Sequence, residues 1–149
     1  MDTKEFIKKH EGIKYSPYKD TSKTPKTTIG IGWNMDANPL PPDIQDYLNK
    51  NGKIENGHID RLLAISVNTA RSDCRKLFPG FDNFSDNRKT ALTDFVFQLG
   101  RTKANKFVRM KNAVNSGRWD DAAMEMRKSN YYDQVPLRAE EVSNLLEEG

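Results

Sequence analysis

From residue 58 to the end, apolar positions recur at helical spacing. Ile59, Leu63, Val67, Ala70, Cys74 and Leu77 fall three or four residues apart, which predicts one long helix over about 58–78. Twenty helical residues span about 30 Å, more than the width of a small lobe, so this helix is expected to connect two lobes. Pro79-Gly80 ends it. Beyond the break, Ala91, Leu92, Phe95, Val96 and Leu99 predict one apolar face, closed by Gly100. Ala104, Phe107, Val108 and Val114 predict the next, closed by Gly117, and Trp119, Ala122, Ala123 and Met126 a third. Pro136 suits the first position of a last helix that carries Ala139, Val142, Leu145 and Leu146.

The first third of the chain reads differently. Residues 3–10 form a short amphipathic helix with Phe6, Ile7 and His10 on one side, Glu11 at its end and Gly12 as its stop. Tyr15, Tyr18, Thr27, Thr28, Ile29, Ile31 and Trp33 then favour strands, and Gly30 and Gly32 interrupt them. The polar run from Asp20 to Lys26 is a turn, so a small antiparallel hairpin or three-stranded sheet is expected. Residues 35–57 are rich in Pro and Asn-Gly and read as loop around one short helix at about 42–50, with Pro42 opening it. The expected fold class is α+β. A small hairpin-containing N-terminal lobe occupies about 13–57, a connecting helix about 58–78 and an all-helical lobe about 80–149. The opening helix, 3–11, packs on the C-terminal lobe or the cleft. The cleft between two such lobes is the default place for a ligand.

Composition narrows the classes. The chain has 149 residues, 36% of them hydrophobic, with seven Phe, five Tyr and two Trp, which excludes a disordered chain. No apolar run approaches the ~20 residues of a membrane span. The charged start, MDTKEFIKKHEG, has no apolar segment of the secretory kind. Cys74 is the only cysteine, so an internal disulfide and a cysteine metal cluster are both excluded. His10 and His58 follow no ligand spacing, and neither a metal nor a cofactor is expected. The net charge of +3 fits an anionic partner such as nucleic acid or bacterial wall polymer without choosing between them. Lys and Arg are spread among acids rather than gathered on one face, which argues against a nucleic-acid interface.

Several reaction types fail on residues. There is no G-x-S-x-G elbow, and Cys74 lies on the apolar stripe of the long helix, where it reads as a small buried hydrophobe. His10 has no serine that follows triad logic. Gly30-Ile31-Gly32 lies within a strand pattern, with no helix start after it to cradle a phosphate. Carboxylates remain. Glu11 closes a helix and faces the negative end of its dipole, which disfavours its charge and suits a proton donor; a solvated helix-end charge is the plainer alternative. Asp20 opens the hairpin turn, and on spacing alone it reads first as a turn former. Two carboxylates and a hydroxyl on one wall would equip a site for glycoside hydrolysis. One acid protonates the leaving oxygen, while the second carboxylate steadies the oxocarbenium-like transition state or activates water. Thr28 could hold that water.

Three blocks of sequence carry a resemblance. The first is Glu11-Gly12, Tyr18-Lys19-Asp20-Thr21 and Thr28-Ile29-Gly30-Ile31-Gly32. The second runs from Ala91-Leu92 through Val96-Phe97-Gln98-Leu99-Gly100. The third is Arg118-Trp119-Asp120-Asp121-Ala122-Ala123, Lys128-Ser129, Tyr132, Gln134, Pro136 and Arg138-Ala139. In this order they resemble the phage-type lysozymes, or endolysins, of glycoside hydrolase family 24, and the resemblance covers nearly the whole chain. It implies a lysozyme-like two-lobe fold and a muramidase that cleaves the β-1,4 bond between N-acetylmuramic acid and N-acetylglucosamine. Glu11 would be the proton donor, Asp20 the second carboxylate, and Thr28 the residue that positions the attacking water. Asn34, Phe97 and Gln98 match the saccharide groove, and Arg138 matches an Arg that supports the catalytic Glu. In this family the anomeric carbon inverts, which requires carboxylates roughly 6.5–9.5 Å apart.

The resemblance further implies a metal-free monomer whose partner is the glycan strand of peptidoglycan, with neither nucleic acid nor membrane insertion. Without a signal peptide it would fold in a host cytoplasm and reach the wall after the membrane is permeabilised, in the service of host lysis. A catalytically silent peptidoglycan-binding module is the rival reading. The joint presence of Glu11, Asp20 and Thr28 speaks against it. The sequence departs from the T-even branch in the longer turn between Asp20 and Thr28, with Pro25 inside it. It departs again at Trp33, which stands where a His is found, so that apolar packing is expected there.

Overall fold

The computed structural model describes residues 2–21 and 23–149. The chain divides into two compact units, one of Ile7–Ser66 and one of Val67–Gly149 together with the N-terminal segment Met1–Phe6. The boundaries fall inside two helices, α1 (Thr3–His10) and α3 (Asn56–Leu77). The fold is α+β, mostly helical with one small sheet.

In the Ile7–Ser66 unit, strands β1 (Lys14–Lys19), β2 (Thr27–Gly30) and β3 (Trp33–Asn34) form an antiparallel sheet in sequence order. Gly30 and Gly32 adopt φ of 65° and 69°, which an L side chain rarely tolerates, and these two glycines let β2 turn directly into β3. Ile29 pairs with Trp33, and both are buried. A Cβ added at Gly30 would come within 3.9 Å of both Ile59 and Leu62, so this end of β2 lies against the first turns of α3. Trp33 is 8% exposed, in line with the packing expected at this position, and its indole N–H donates to the Asn38 carbonyl at 2.9 Å.

β1 is exposed along its whole length, so no inward–outward alternation marks it as a strand. Five residues of β1, from Lys14 to Tyr18, run against three of β2, from Gly30 to Thr28. This bulge contains Pro17, which has no amide to give to a ladder. Helix α2 (Pro42–Asn51) starts at Pro42 and ends at Gly52, in the left-handed region at φ 73°. It buries Ile44 and Leu48. Ser22, within the expected polar turn, lies outside the described residues.

In the other unit, α4 (Asp86–Asn105), α5 (Val108–Asn115), α6 (Trp119–Arg127), α7 (Asn130–Gln134) and α8 (Pro136–Glu148) enclose one apolar core with the last turns of α3. Phe78, Phe81, Phe95, Met126 and Leu146 sit at its centre. The first two of these helices depart from the expected faces. Gly100 takes φ 80° and ψ 159° and kinks α4, so Ala104 belongs to a short turn after that kink and not to the next helix. Phe107 precedes α5 instead of lying within it, and Val108 is 55% exposed at the first turn, where spacing had placed it inward. The helical turn Phe81–Asn83 and the five-residue α7 were not expected, because both are too short for periodicity to register. Thr3 returns to this unit: its hydroxyl meets that of Thr90 at 3.0 Å and accepts from Arg71 at 3.1 Å.

Cys74 is fully buried on α3, and burial pushes its thiol up to about 12. The folded state therefore keeps the proton longer than the unfolded chain, whose thiol titrates near about 8.5. This stabilising contribution is complete below that pH and is lost as pH rises toward 12. The native protein is expected to resist a thiol reagent at pH 8 and to react fully in denaturant. Rapid labelling of the native state would contradict the burial.

Candidate active site

The chain enters the candidate site at the end of α1. The Glu11 amide donates to the Ile7 carbonyl at 2.9 Å, so Glu11 is held by the last turn of the helix, and its side chain is half-buried. Lys8, in the same turn, bridges to Asp60 on α3 at 3.0 Å and anchors this end of the helix within its unit.

Asp20 follows β1 and closes the hairpin twice over. Its amide donates to the Lys26 carbonyl at 3.0 Å, and its Oδ1 accepts from the Lys26 amide at 3.1 Å. The turn-forming role is thus real, and it fixes where the carboxylate stands. Thr28 lies in the central strand and is 5% exposed. Its hydroxyl donates to the Lys26 carbonyl at 3.1 Å, which leaves Oγ1 able to act as an acceptor. Tyr18 pairs with Thr28 on one side and Asn34 pairs with it on the other. Directly opposed residues of an antiparallel sheet project to the same face, so Tyr18, Thr28 and Asn34 form one row across it. The Oδ1 of Asn34 accepts from the amides of Asp36 and Ala37 at 3.0 and 3.1 Å and so shapes the turn after β3.

The Tyr18 hydroxyl gathers this site electrostatically. Its pKa is raised first by burial, then by the negative charges of Glu11 and Asp20. Both carboxylates therefore act on one oxygen atom within one unit. The sequence marks Tyr18 only as a strand former and a motif member, because a tyrosine in an exposed strand carries no sign of what its hydroxyl faces.

Phe97, Gln98 and Arg138 belong to the other unit. Phe97 is half-buried against its helical core. Gln98 donates from Nε2 to Asp94 Oδ2 and to the Tyr131 hydroxyl, each at 2.9 Å. Arg138 is 8% exposed and grips Asp94, which is 0% exposed, through Nε at 3.1 Å and a terminal nitrogen at 2.6 Å. Burial and the Asp94 charge hold the Tyr131 hydroxyl well above its usual value. Asp94 was missed in the sequence. Its signal is a carboxylate between Leu92 and Phe95 on an otherwise apolar helix face, one turn before Gln98, which requires a buried cationic partner. Among the described residues, no group of three His, Cys, Asp or Glu could hold a metal ion, and no helix is long and apolar enough to cross a membrane.

Comparison with known proteins identifies the family. Residues 8–142 match the phage lysozyme family. The chain is 30% identical to "Probable T4-type lysozyme 2" of Dictyostelium discoideum, covering 98% of this chain and 94% of that protein. It is 27% identical to "Pre-baseplate central spike protein Gp5" of Enterobacteria phage T4, covering 98% of this chain and 28% of the spike protein.

The Asp94–Arg138 pair yields a stability prediction. Removing one partner leaves the other charge buried and alone, a loss of about 3–5 kcal/mol. Arg138→Ala and Asp94→Ala are each expected to lower the urea midpoint strongly, whereas Asp94→Leu combined with Arg138→Met recovers a large part of the loss. Mild, additive single effects would contradict the pairing.

Proposed function

Because the chain belongs to the phage lysozyme family, we propose that it hydrolyses the β-1,4 bond between N-acetylmuramic acid and N-acetylglucosamine in peptidoglycan. The observation that carries this reading is the row of Tyr18, Thr28 and Asn34 across the sheet with Asp20 closing its hairpin, where Glu11 and Asp20 both add to the raised pKa of the Tyr18 hydroxyl.

Glu11 serves as general acid and gives its proton to the glycosidic oxygen as the bond to the anomeric carbon breaks. A water attacks that carbon from the opposite side. Thr28 and Asp20 suit the holding of this water, since each offers it an acceptor. The Thr28 proton is committed to Lys26, so Oγ1 accepts one water hydrogen, and the Asp20 carboxylate accepts the other. The water lone pair is then directed at the sugar. Asp20 takes the water proton as the new C–O bond forms, and the configuration inverts. Asn34, Phe97 and Gln98 contribute to saccharide binding in this reading. The family resemblance assigns Arg138 to support of the catalytic Glu, and in its own unit its guanidinium is clamped by Asp94. The biological setting proposed is lysis of a bacterial host, with the enzyme reaching the wall from the cytoplasm after the membrane is breached.

Turbidity of permeabilised Gram-negative cells tests the assignment. Glu11→Gln is expected to clear them about 10²–10⁴-fold more slowly than the unaltered protein. The reducing end released from purified peptidoglycan is expected to be N-acetylmuramic acid, formed as the inverted anomer. Equal clearing by both proteins would remove Glu11 from the mechanism, and wall binding without clearing by either would leave a binding module.

A further inference from the structure

Tyr18 stands at the centre of the candidate site, and the reaction as written above gives it no task. It faces Thr28 directly across the β1–β2 ladder, and Asp20 lies two residues on, beyond the strand end where Asp20 and Lys26 close the turn. The bond from the Asp20 amide to the Lys26 carbonyl continues the ladder past the Lys19–Thr27 pair, so Asp20 and Tyr18, two residues apart, project to the same side. We propose that Tyr18 is a positioning residue for the hydrolysis: its hydroxyl, opposite Thr28 and beside Glu11 and Asp20, donates a hydrogen bond that holds the Asp20 carboxylate ionised and aimed at the reacting water. This assignment rests on the reading of Glu11 and Asp20 as the reacting carboxylates.

The chemistry follows from the groups that face the ring. Glu11 approaches from the end of α1, and Asp20 from the hairpin turn. Lys14, on the same strand, lies over the ring with Nζ 5.8 Å from its centroid. Lys19 is turned to Thr27, with Nζ 2.7 Å from its hydroxyl. Thr28 is the uncharged neighbour from β2. Burial first, and then the charges of Glu11 and Asp20, raise the pKa of this phenol, so it keeps its proton well above neutral pH. It is therefore a permanent O–H donor placed among acceptors, where a hydroxyl bound to a charged acceptor is at its strongest. Thr28 and Asp20 take the hydrogens of the water, while Tyr18 supplies the complementary donor. The bulge at Pro17 adds to the case, because it shifts the register so that Tyr18, and not a neighbour, falls opposite Thr28.

Tyr18→Phe removes one oxygen and keeps the ring, the Lys14 contact and the ladder. Turnover is expected to fall about tenfold with KM little changed, as for one lost hydrogen bond to a charged group. The sign of the pH effect is set by the donor. Without it the ionised Asp20 is less stable, so the acidic limb of the rate profile, and the Asp20 carboxyl titrated directly by carbon NMR, both move upward by about half a unit or more. A purely structural role for Tyr18 would lower Tm and leave that titration in place. Tyr15→Phe is the control, since the Tyr15 hydroxyl donates to Asn56 at 2.7 Å, and its profile should match the unaltered protein. An inactive Glu11→Gln together with an unshifted Tyr18→Phe would overturn the Tyr18 assignment alone. An active Glu11→Gln would overturn the reading beneath it, and this assignment with it.

Discussion

The reciprocal hydrogen bonds between Asp20 and Lys26 fix the geometry on which the candidate site depends. One joins the Asp20 amide to the Lys26 carbonyl and the other joins the Lys26 amide to the Asp20 side chain. Together they close the hairpin at a defined residue. In an antiparallel ladder a slip of one residue would turn every side chain to the other face. With the closure in place, Tyr18 meets Thr28, and Thr28 meets Asn34. The Lys26 carbonyl also receives the Thr28 hydroxyl, so one residue of the turn orients both the proposed second carboxylate and the proposed water ligand. The proposed second carboxylate is thus itself part of the turn that sets the register of the sheet.

The helical unit answers a different constraint, that of charge inside an apolar core. Asp94 accepts from Arg138 at both oxygens and from Gln98 at one, so its desolvation is offset by three directed bonds. The same bonds fix the plane of the Arg138 guanidinium. Gln98 extends the network to Tyr131, so two of the residues matched to the resembled family, Gln98 and Arg138, are held by a third that the motif comparison passed over.

Much of the fold was legible because it rests on periodicity. The stripe from Ile59 to Leu77 became α3 with every one of its members buried, and Pro42, Gly52 and Pro136 sit at the helix ends where their backbone preferences place them. The misses arose where local geometry overrides period. Gly100 kinks α4 and displaces the apolar phase behind it, so Val108 faces outward. β1 is exposed on both faces and shows no alternation, and its propensity for strand came from two tyrosines alone. Within the site, Glu11, Asp20 and Thr28 could be proposed from residue type and order. The roles of Tyr18 and Asp94 depend on which charge faces them in space, and a linear string of residues does not record that.

The helical unit includes the first residues of the chain as well as the last half. Phe6 is part of its core, and Thr3 pairs with Thr90 and Arg71. During synthesis α1 leaves the ribosome well before α8. The opening helix therefore spends most of synthesis without the partners that will cover Phe6. Its amphipathic turn must stay soluble meanwhile, and Lys4, Glu5, Lys8 and Lys9 surround the apolar pair Phe6 and Ile7 with charge. Vectorial translation thus imposes on this short segment a demand that the finished structure no longer displays.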